Sequence, residues 1–376
     1  TDLPTKGYIE HYGPTYDFCV VKVNKEGNGL DYCCVFGGES MEEIRGITVD
    51  SMGNCIAVGG SHSPDLPTTA DAYQPRYTDP PEETPEKAGS FRQGEDAVIA
   101  KISPSGSDFV FCSWLGGHGF EKAWAVTTNR ADEIYVAGHV EALDFPVSQG
   151  AFQTNHGGGI PRPDDQYGPK DAFVAKLSAD GRQLLAATYF GGSGQDVGYG
   201  IGVDGTGDVY LAGNTESADI PLSENAYSIF SGGGTDVFLA RFDADLTQLR
   251  FSTCFGGPGK DEISSNALVV DAAGYASIAG GTDSVLTLGA DAFLNAFLGG
   301  SSDGYLARFT PSGALSYGTY LGGSGSDQCG AIAIDARGRA YVAGRTDSGD
   351  FALKSAHRNE RSGGRDAFVV KIAFPE

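Results

Sequence analysis

A chain of 376 residues carrying 26 basic against 49 acidic side chains has a formal charge of −23, so its field repels phosphate backbones and anionic lipid surfaces. Nucleic acid and bare membrane are therefore poor partners. Hydrophobic residues at 40% and charged ones at 20% supply a large core and are too balanced a mixture for disorder.

In chain order, the opening stretch DLPTKGYIEHYGPTYDFCVVKV reads as the tail of a repeat whose inner half is missing. The phrase Asp-aromatic-apolar-x-Lys/Arg, first met as DFCVVKV at Asp17, returns as DAVIAKI at Asp96, DAFVAKL at Asp171, DVFLARF at Asp236, DGYLARF at Asp303 and DAFVVKI at Asp366. The intervals are 79, 75, 65, 67 and 63 residues. Each complete interval holds four short runs rich in β-branched and aromatic residues, separated by Gly, Asp or Ser; in the third these are DAFVAKL, LLAATYFGG, YGIGVD and DVYLAG. That is four strands per unit. Radial repetition lets such twisted antiparallel sheets bury both faces, which predicts an all-β fold, a β-propeller of four-stranded antiparallel blades. A β-solenoid has shorter units and parallel strands. The 56 glycines fit the tight turns required.

The runs TYFGGSGQDVGYGIGVDGTGDVYLAGNTESADIP, TYLGGSGSDQCGAIAIDARGRAYVAGRTDSGDF and WLGGHGFEKAWAVTTNRADEIYVAGHVEALDFP resemble the SBBP-type propeller repeat, and the likeness extends over nearly the whole chain. The resemblance implies a fold and an extracellular or surface setting, and it is nearly silent on activity. By analogy with propellers of similar VD-x-x-G-x-x-Y-V-A pattern, IxVD is innermost, YVAG second, DAFVAK third and TYFGG outermost. Inner strands then begin near Gly46, Ala125, Gly200, Ala267 and Ala331, giving one domain over 1–376 with units starting near 17, 96, 171, 236 and 303. Five blades are expected, with six as the alternative. A partial strand at 366–372 closes the fold, with LDYCCVF expected as the outermost strand beside Phe368–Ile372.

Two connections from second to third strand are enlarged, Gln74–Glu95 and Gln153–Lys170, and long irregular loops in a compact fold are functional or disordered. The repeats also serve as their own comparison set. Where framework positions agree, the residue opening the inner strand is Arg45, Trp124, Tyr199, Asn266 or Gly330, and the residue after the second-strand glycine is Gly60, His139, Asn214, Gly281 or Arg345. Both sets are expected at one channel mouth. Trp124 and Tyr199 are candidate stacking platforms, and Arg45, Asn214, Asn266 and Arg345 candidate polar contacts. Neutral drift at exposed positions explains the same divergence.

A carboxylate stands at the same place in every GGxxxD-type turn: Glu42, Glu121, Asp196, Asp261 and Asp327. These are candidate ligands for Ca²⁺ or another hard cation. A turn carboxylate accepting backbone N–H bonds accounts for the ring without metal. Asp65, Asp144 and Asp219, in DLP, DFP and DIP, read as turn signals. His118 and His139, with Tyr199, are the candidate acid–base groups; none of the six histidines forms a local zinc motif.

Seven cysteines cannot all pair within one chain, and most lie in apolar strand runs where Cys acts as a small hydrophobe. A disulfide from Cys33 or Cys34 to a facing strand stays open. No apolar run approaches the roughly 18 residues a spanning helix needs. The start at Thr1 has no charged-then-apolar leader, which leaves a removed secretion signal open.

The expected function is that of a secreted or cell-surface propeller, a monomer, binding a small molecule, glycan or protein at the mouth. The alternative is a lyase, hydrolase or cyclase working at the same place. A purely structural repeat module is a third reading.

Overall fold

The computed structural model describes residues 15–78, 94–158, 168–229, 234–351, 356–357 and 363–375. Among them the regular structure is entirely β: repeated four-stranded antiparallel sheets of the propeller type. By contact density the chain divides into two compact units, one of residues 1–156 with 173–189, the other of 157–172 with 190–376.

In the first unit, β1 (Phe18–Val23) and β2 (Leu30–Phe36) form a two-stranded sheet. β3 (Glu42–Val49), β4 (Cys55–Ser61), β5 (Asp96–Ile102) and β6 (Phe109–Leu115) make the first full sheet in chain order. β7 (Glu121–Thr128), β8 (Ile134–Val140), β9 (Asp171–Leu177) and β10 (Leu184–Phe190) make the next. In the second unit come β11 (Asp196–Val203) to β12 (Val209–Thr215), β13 (Asp236–Phe242) and β14 (Leu249–Phe255). Then follow β15 (Asp261–Val270), β16 (Ala276–Thr282), β17 (Asp303–Phe309) and β18 (Leu315–Leu321). The last sheet has three strands, β19 (Asp327–Ile334), β20 (Ala340–Thr346) and β21 (Asp366–Ile372).

The repeated phrase explains itself in this frame. Its apolar centre is buried throughout β5, β9, β13 and β17. The basic residue near its end reaches the acid of the VD-type turn after an inner strand: Lys101 to Asp50 at 2.8 Å, Lys176 to Glu133 at 2.9 Å, Arg241 to Asp204 at 3.0 Å and Arg308 to Asp271 at 2.9 Å. Although burial opposes it, these bonds hold Asp50 and Glu133 below the usual carboxylate range. The same turns use a left-handed residue, Gly53 at φ 81° and Gly207 at φ 94°, with Asp132 at φ 59° in the equivalent place. Deeper in two of these sheets an outer-strand tyrosine is wholly buried and bridges a neighbouring turn. Tyr189 donates to the Ala142 carbonyl at 2.9 Å, and Tyr320 donates to the Ser284 carbonyl at 3.0 Å.

Two expectations need correction. The inner strands start four residues earlier than the alternation suggests, at Glu42, Glu121, Asp196 and Asp327, and six earlier at Asp261. LDYCCVF, expected beside Phe368–Ile372, is paired with β1 instead, while the ladder partner of β21 is β20. An outermost strand has one ladder neighbour, and β1, only a short loop away, takes that place. β21 is also more open than its counterparts, with Val369 73% exposed.

Candidate functional site

The positions that diverge between repeats share one backbone device. In every inner strand among the described residues the ladder slips: between Ile44 and Gly46, Ala123 and Ala125, Gly198 and Gly200, Ile263 and Leu268, and Cys329 and Ala331. The residue left over is Arg45, Trp124, Tyr199 or Gly330, each the extra residue of a β-bulge. In β15 the bulge is larger, so that strand has ten residues against eight elsewhere, and Asn266 sits there at φ 66°. Asparagine tolerates that left-handed conformation better than most residues. A bulge re-aims a side chain and interrupts pairing, which is why these five positions escape the demands of the ladder.

In the first unit the bulges of β3 and β7 bring a polar cluster together. The Arg45 guanidinium lies 4.7 Å from the centroid of the Trp124 ring, and Lys122 Nζ lies 5.8 Å from it. Trp124 Nε1 donates to His139 Nδ1 at 2.9 Å, so that nitrogen is the acceptor of this imidazole. Glu43 accepts from Arg45 and, at 3.1 Å, from Lys122, whose ammonium also reaches Glu95 at 2.7 Å. His62 Nε2 stands 3.9 Å from Glu95. Burial opposes ionisation of Glu43, but its two cations win and hold its carboxyl below the usual range. The cluster is graded: Arg45 and Glu43 side chains are 35% and 36% exposed, while Lys122 and Glu95 are 13% and 12% exposed. Arg45 and Glu43 are thus the accessible end, braced from beneath.

The expected contacts of the second unit are differently placed. Asn214 donates to the Ile263 carbonyl at 3.2 Å and accepts from the Ile263 amide at 2.9 Å, bridging β12 to β15. Tyr199 is half-buried against the unit's apolar core. Arg345 is exposed and donates to Gln328 at 2.5 Å.

Of the candidate acid–base groups, His139 takes part in the cluster just described. His118 sits in the preceding turn, where its ring Nδ1 is 2.6 Å from Asp144 Oδ2 and its amide donates to Asp144 Oδ1 at 2.8 Å. Burial works the other way, yet these bonds hold Asp144 low. Asp219 and Asp350 accept from the amides of Ser193 and Ser324 at 2.8 Å in the same manner, so this aspartate caps a neighbouring turn.

The five turn carboxylates are buried, each in its own repeat. Glu121, Asp196, Asp261 and Asp327 each accept the amide four residues earlier, from Gly117, Gly192, Gly257 and Gly323, at 2.7–3.0 Å. A serine at or just beyond the end of the second strand completes the cap, as Ser61 to Glu42, Ser217 to Asp196, Ser284 to Asp261 and Ser348 to Asp327. Burial pushes the pKa values of Glu42, Asp196 and Asp261 above the usual carboxylate range. A second carboxylate, the aspartate opening the repeated phrase, lies close by. A Cβ added at Gly191 would fall 2.6 Å from Asp171 Oδ1 and 2.8 Å from Asp196 Oδ2, and one added at Gly116 would fall 2.6 Å from Glu121 Oε2 and 3.0 Å from Asp96 Oδ1. Only glycine fits there. Among the described residues no three or more His, Cys, Asp or Glu side chains are grouped to hold a metal ion. The geometry is that of a turn cap.

Glu43, Lys122, Glu95 and His62 are cluster members that sequence reasoning passed over. The register ties them to flagged positions, since Glu43 pairs with Gly60 and Lys122 with His139, but that pairing is not written in the sequence. Of the enlarged connections, Gln74–Glu95 lies largely and Gln153–Lys170 in its middle part outside the described residues, as does His11.

Comparison with known proteins agrees with the repeat. Residues 187–221 and 317–352 match the family model of the SBBP beta-propeller repeat. The chain is also similar to the solved structure of XC5397 from Xanthomonas campestris, described as a gluconolactonase important in glucose secondary metabolic pathways. The identity is 13%, the coverage 88% of this chain and 82% of that one, and the TM-score 0.40. No curated protein matches the chain. Among the described residues no helix is long and apolar enough to cross a membrane.

Proposed function

We propose that this chain is an extracellular or surface-associated binding propeller that uses the bulge side chains of its inner strands, foremost Arg45, Trp124 and His139 of the first unit. One observation carries the reading: the bulge is kept in all five inner strands while its residue changes from Arg45 to Trp124, Tyr199, Asn266 and Gly330. A position maintained by the backbone and freed from ladder duty is where recognition chemistry costs least stability. The guanidinium, carboxylate and indole of Arg45, Glu43 and Trp124 suit a hydroxyl-rich small molecule or glycan, which offers donors and acceptors to both charges and a C–H face to the ring.

Acid–base catalysis has less behind it. His118 is tied to Asp144 and His139 accepts from Trp124, so the two imidazoles serve different bonds. The test is a thermal-shift screen of sugars, sugar acids and small metabolites, with Arg45→Ala as control. A ligand that raises the melting temperature of the wild type and not of the variant supports the reading. A ligand whose shift survives Arg45→Ala removes the site from this cluster. Turnover of that ligand would favour the enzymatic alternative.

A further inference from the structure

The sequence left open a disulfide from Cys33 or Cys34, and the first two strands narrow the choice. β1 and β2 pair antiparallel with Cys19 opposite Val35, Val20 opposite Cys34 and Val21 opposite Cys33. Because side chains alternate, Cys19, Val21, Cys33 and Val35 share one face of this sheet. Phe18, Val20, Tyr32, Cys34 and Phe36 occupy the other and pack into a core cluster. Cys19 Sγ and Cys33 Sγ approach to 3.9 Å diagonally across the ladder. Cys19 is exposed and Cys33 is buried, so an oxidant meets Cys19 first. The sheet has only two strands, and Val21 and Val23 on β1 are 44% and 56% exposed. A two-stranded ribbon is the least self-supporting sheet there is, and the one that gains most from a covalent tie.

We propose that Cys19 and Cys33 form a cross-strand disulfide by exchange with a small-molecule disulfide, stapling β1 to β2. Cys19 thiolate attacks one sulfur of the small disulfide, whose S–S bond breaks, and the first small thiolate leaves and takes up a proton. Cys33 thiolate then attacks Cys19 Sγ and displaces the second small thiolate, which is protonated in turn. Two protein thiols are oxidised, one small disulfide is reduced to two thiols, and the two protons of the protein thiols end on the products. The sulfurs must close from 3.9 Å to about 2.05 Å, and because a diagonal pair sets its Cβ atoms wider than a disulfide holds them, closure draws the two strands together as well as rotating the side chains. Cys34 is on the wrong face to compete.

Partial burial of its sulfur and the adjacent Cys33 push the Cys19 thiol up to about 11, although the residue as a whole is exposed. Formation at neutral pH is accordingly slow and quickens with pH, roughly tenfold per unit below the thiol's own value. A thiol of high pKa is a poor leaving group, so the bond once made resists reduction.

The experiment incubates the full chain with oxidised glutathione at about pH 8, traps residual thiols with iodoacetamide, and maps the peptides by mass spectrometry. The expected result is a mass lower by two hydrogens, a linked pair of peptides carrying Cys19 and Cys33, and a melting temperature about 2–4 °C above that of the dithiol form. Cys33→Ser should stop at the glutathione adduct on Cys19 and lose the rise. Alkylation of both thiols after oxidation overturns the proposal, as does a linkage mapped to Cys34 or a rise that survives in Cys33→Ser.

Discussion

The two units solve one backbone problem in the same way and put it to different use. In the first, the bulge residues Arg45 and Trp124 join Glu43, Lys122, Glu95 and His139 in a braced polar cluster with an accessible end. In the second, Tyr199 packs against the core and Asn214 ties β12 to β15, while β15 enlarges its bulge and β19 has only Gly330 there. The difference teaches that bulge geometry belongs to the fold and side-chain chemistry to the individual repeat. Architecture is therefore tested by what every repeat shares, and recognition by what only the first unit has.

The largest effect belongs to the shared frame. Asp261→Ala strips a buried cap from the Gly257 amide and the Ser284 hydroxyl, and should cost about 2–4 kcal/mol in denaturant unfolding of the second unit. If the loss is below about 0.5 kcal/mol, the capping account of these carboxylates fails. Asn214→Ala comes next, since it leaves both backbone groups of Ile263 without the side chain that bridges them, at about 1–3 kcal/mol. Arg45→Ala, by contrast, removes a partly exposed guanidinium whose ion pair with Glu43 is worth under about 1 kcal/mol. A large loss there would mean that the cluster is a structural brace and not a recognition surface.

The last effect is one of pH. Burial, with the neighbouring Asp327 adding to it, pushes the Asp303 carboxyl up to about 6. Its folded value is raised, so its contribution favours the native state at low pH and is lost as pH rises from the ordinary carboxylate range through about 6. Asp303→Asn should therefore gain on the wild type between about pH 4 and pH 6 in melting temperature. A gap between the two that stays constant over that interval would deny the raised value.

Much of this frame was legible in the chain itself. The phrase at Asp96, Asp171, Asp236, Asp303 and Asp366 opens β5, β9, β13, β17 and β21 at the same residues, because a third strand buried as in the first four needs an unbroken apolar run. The inner strands were framed too short for the reason that makes them interesting. A bulge adds one residue and reverses the alternation, so a period-two pattern traced back from IxVD stops at the bulge. The divergent residues are those at the bulges, and their expected place at the edge of a strand came from that phase change. The ion pairs of Lys122 with Glu43 and Glu95 were hidden because they join residues far apart in the chain, through a register that sequence does not display.

The most direct test of the recognition account compares bulge variants of both units against one ligand panel. Trp124→Phe, which keeps a ring but loses the bond to His139, and Arg45→Ala should each abolish a ligand-induced rise in melting temperature seen in the wild type, while Gly330→Ala leaves it unchanged. A rise that persists in both first-unit variants would contradict the account.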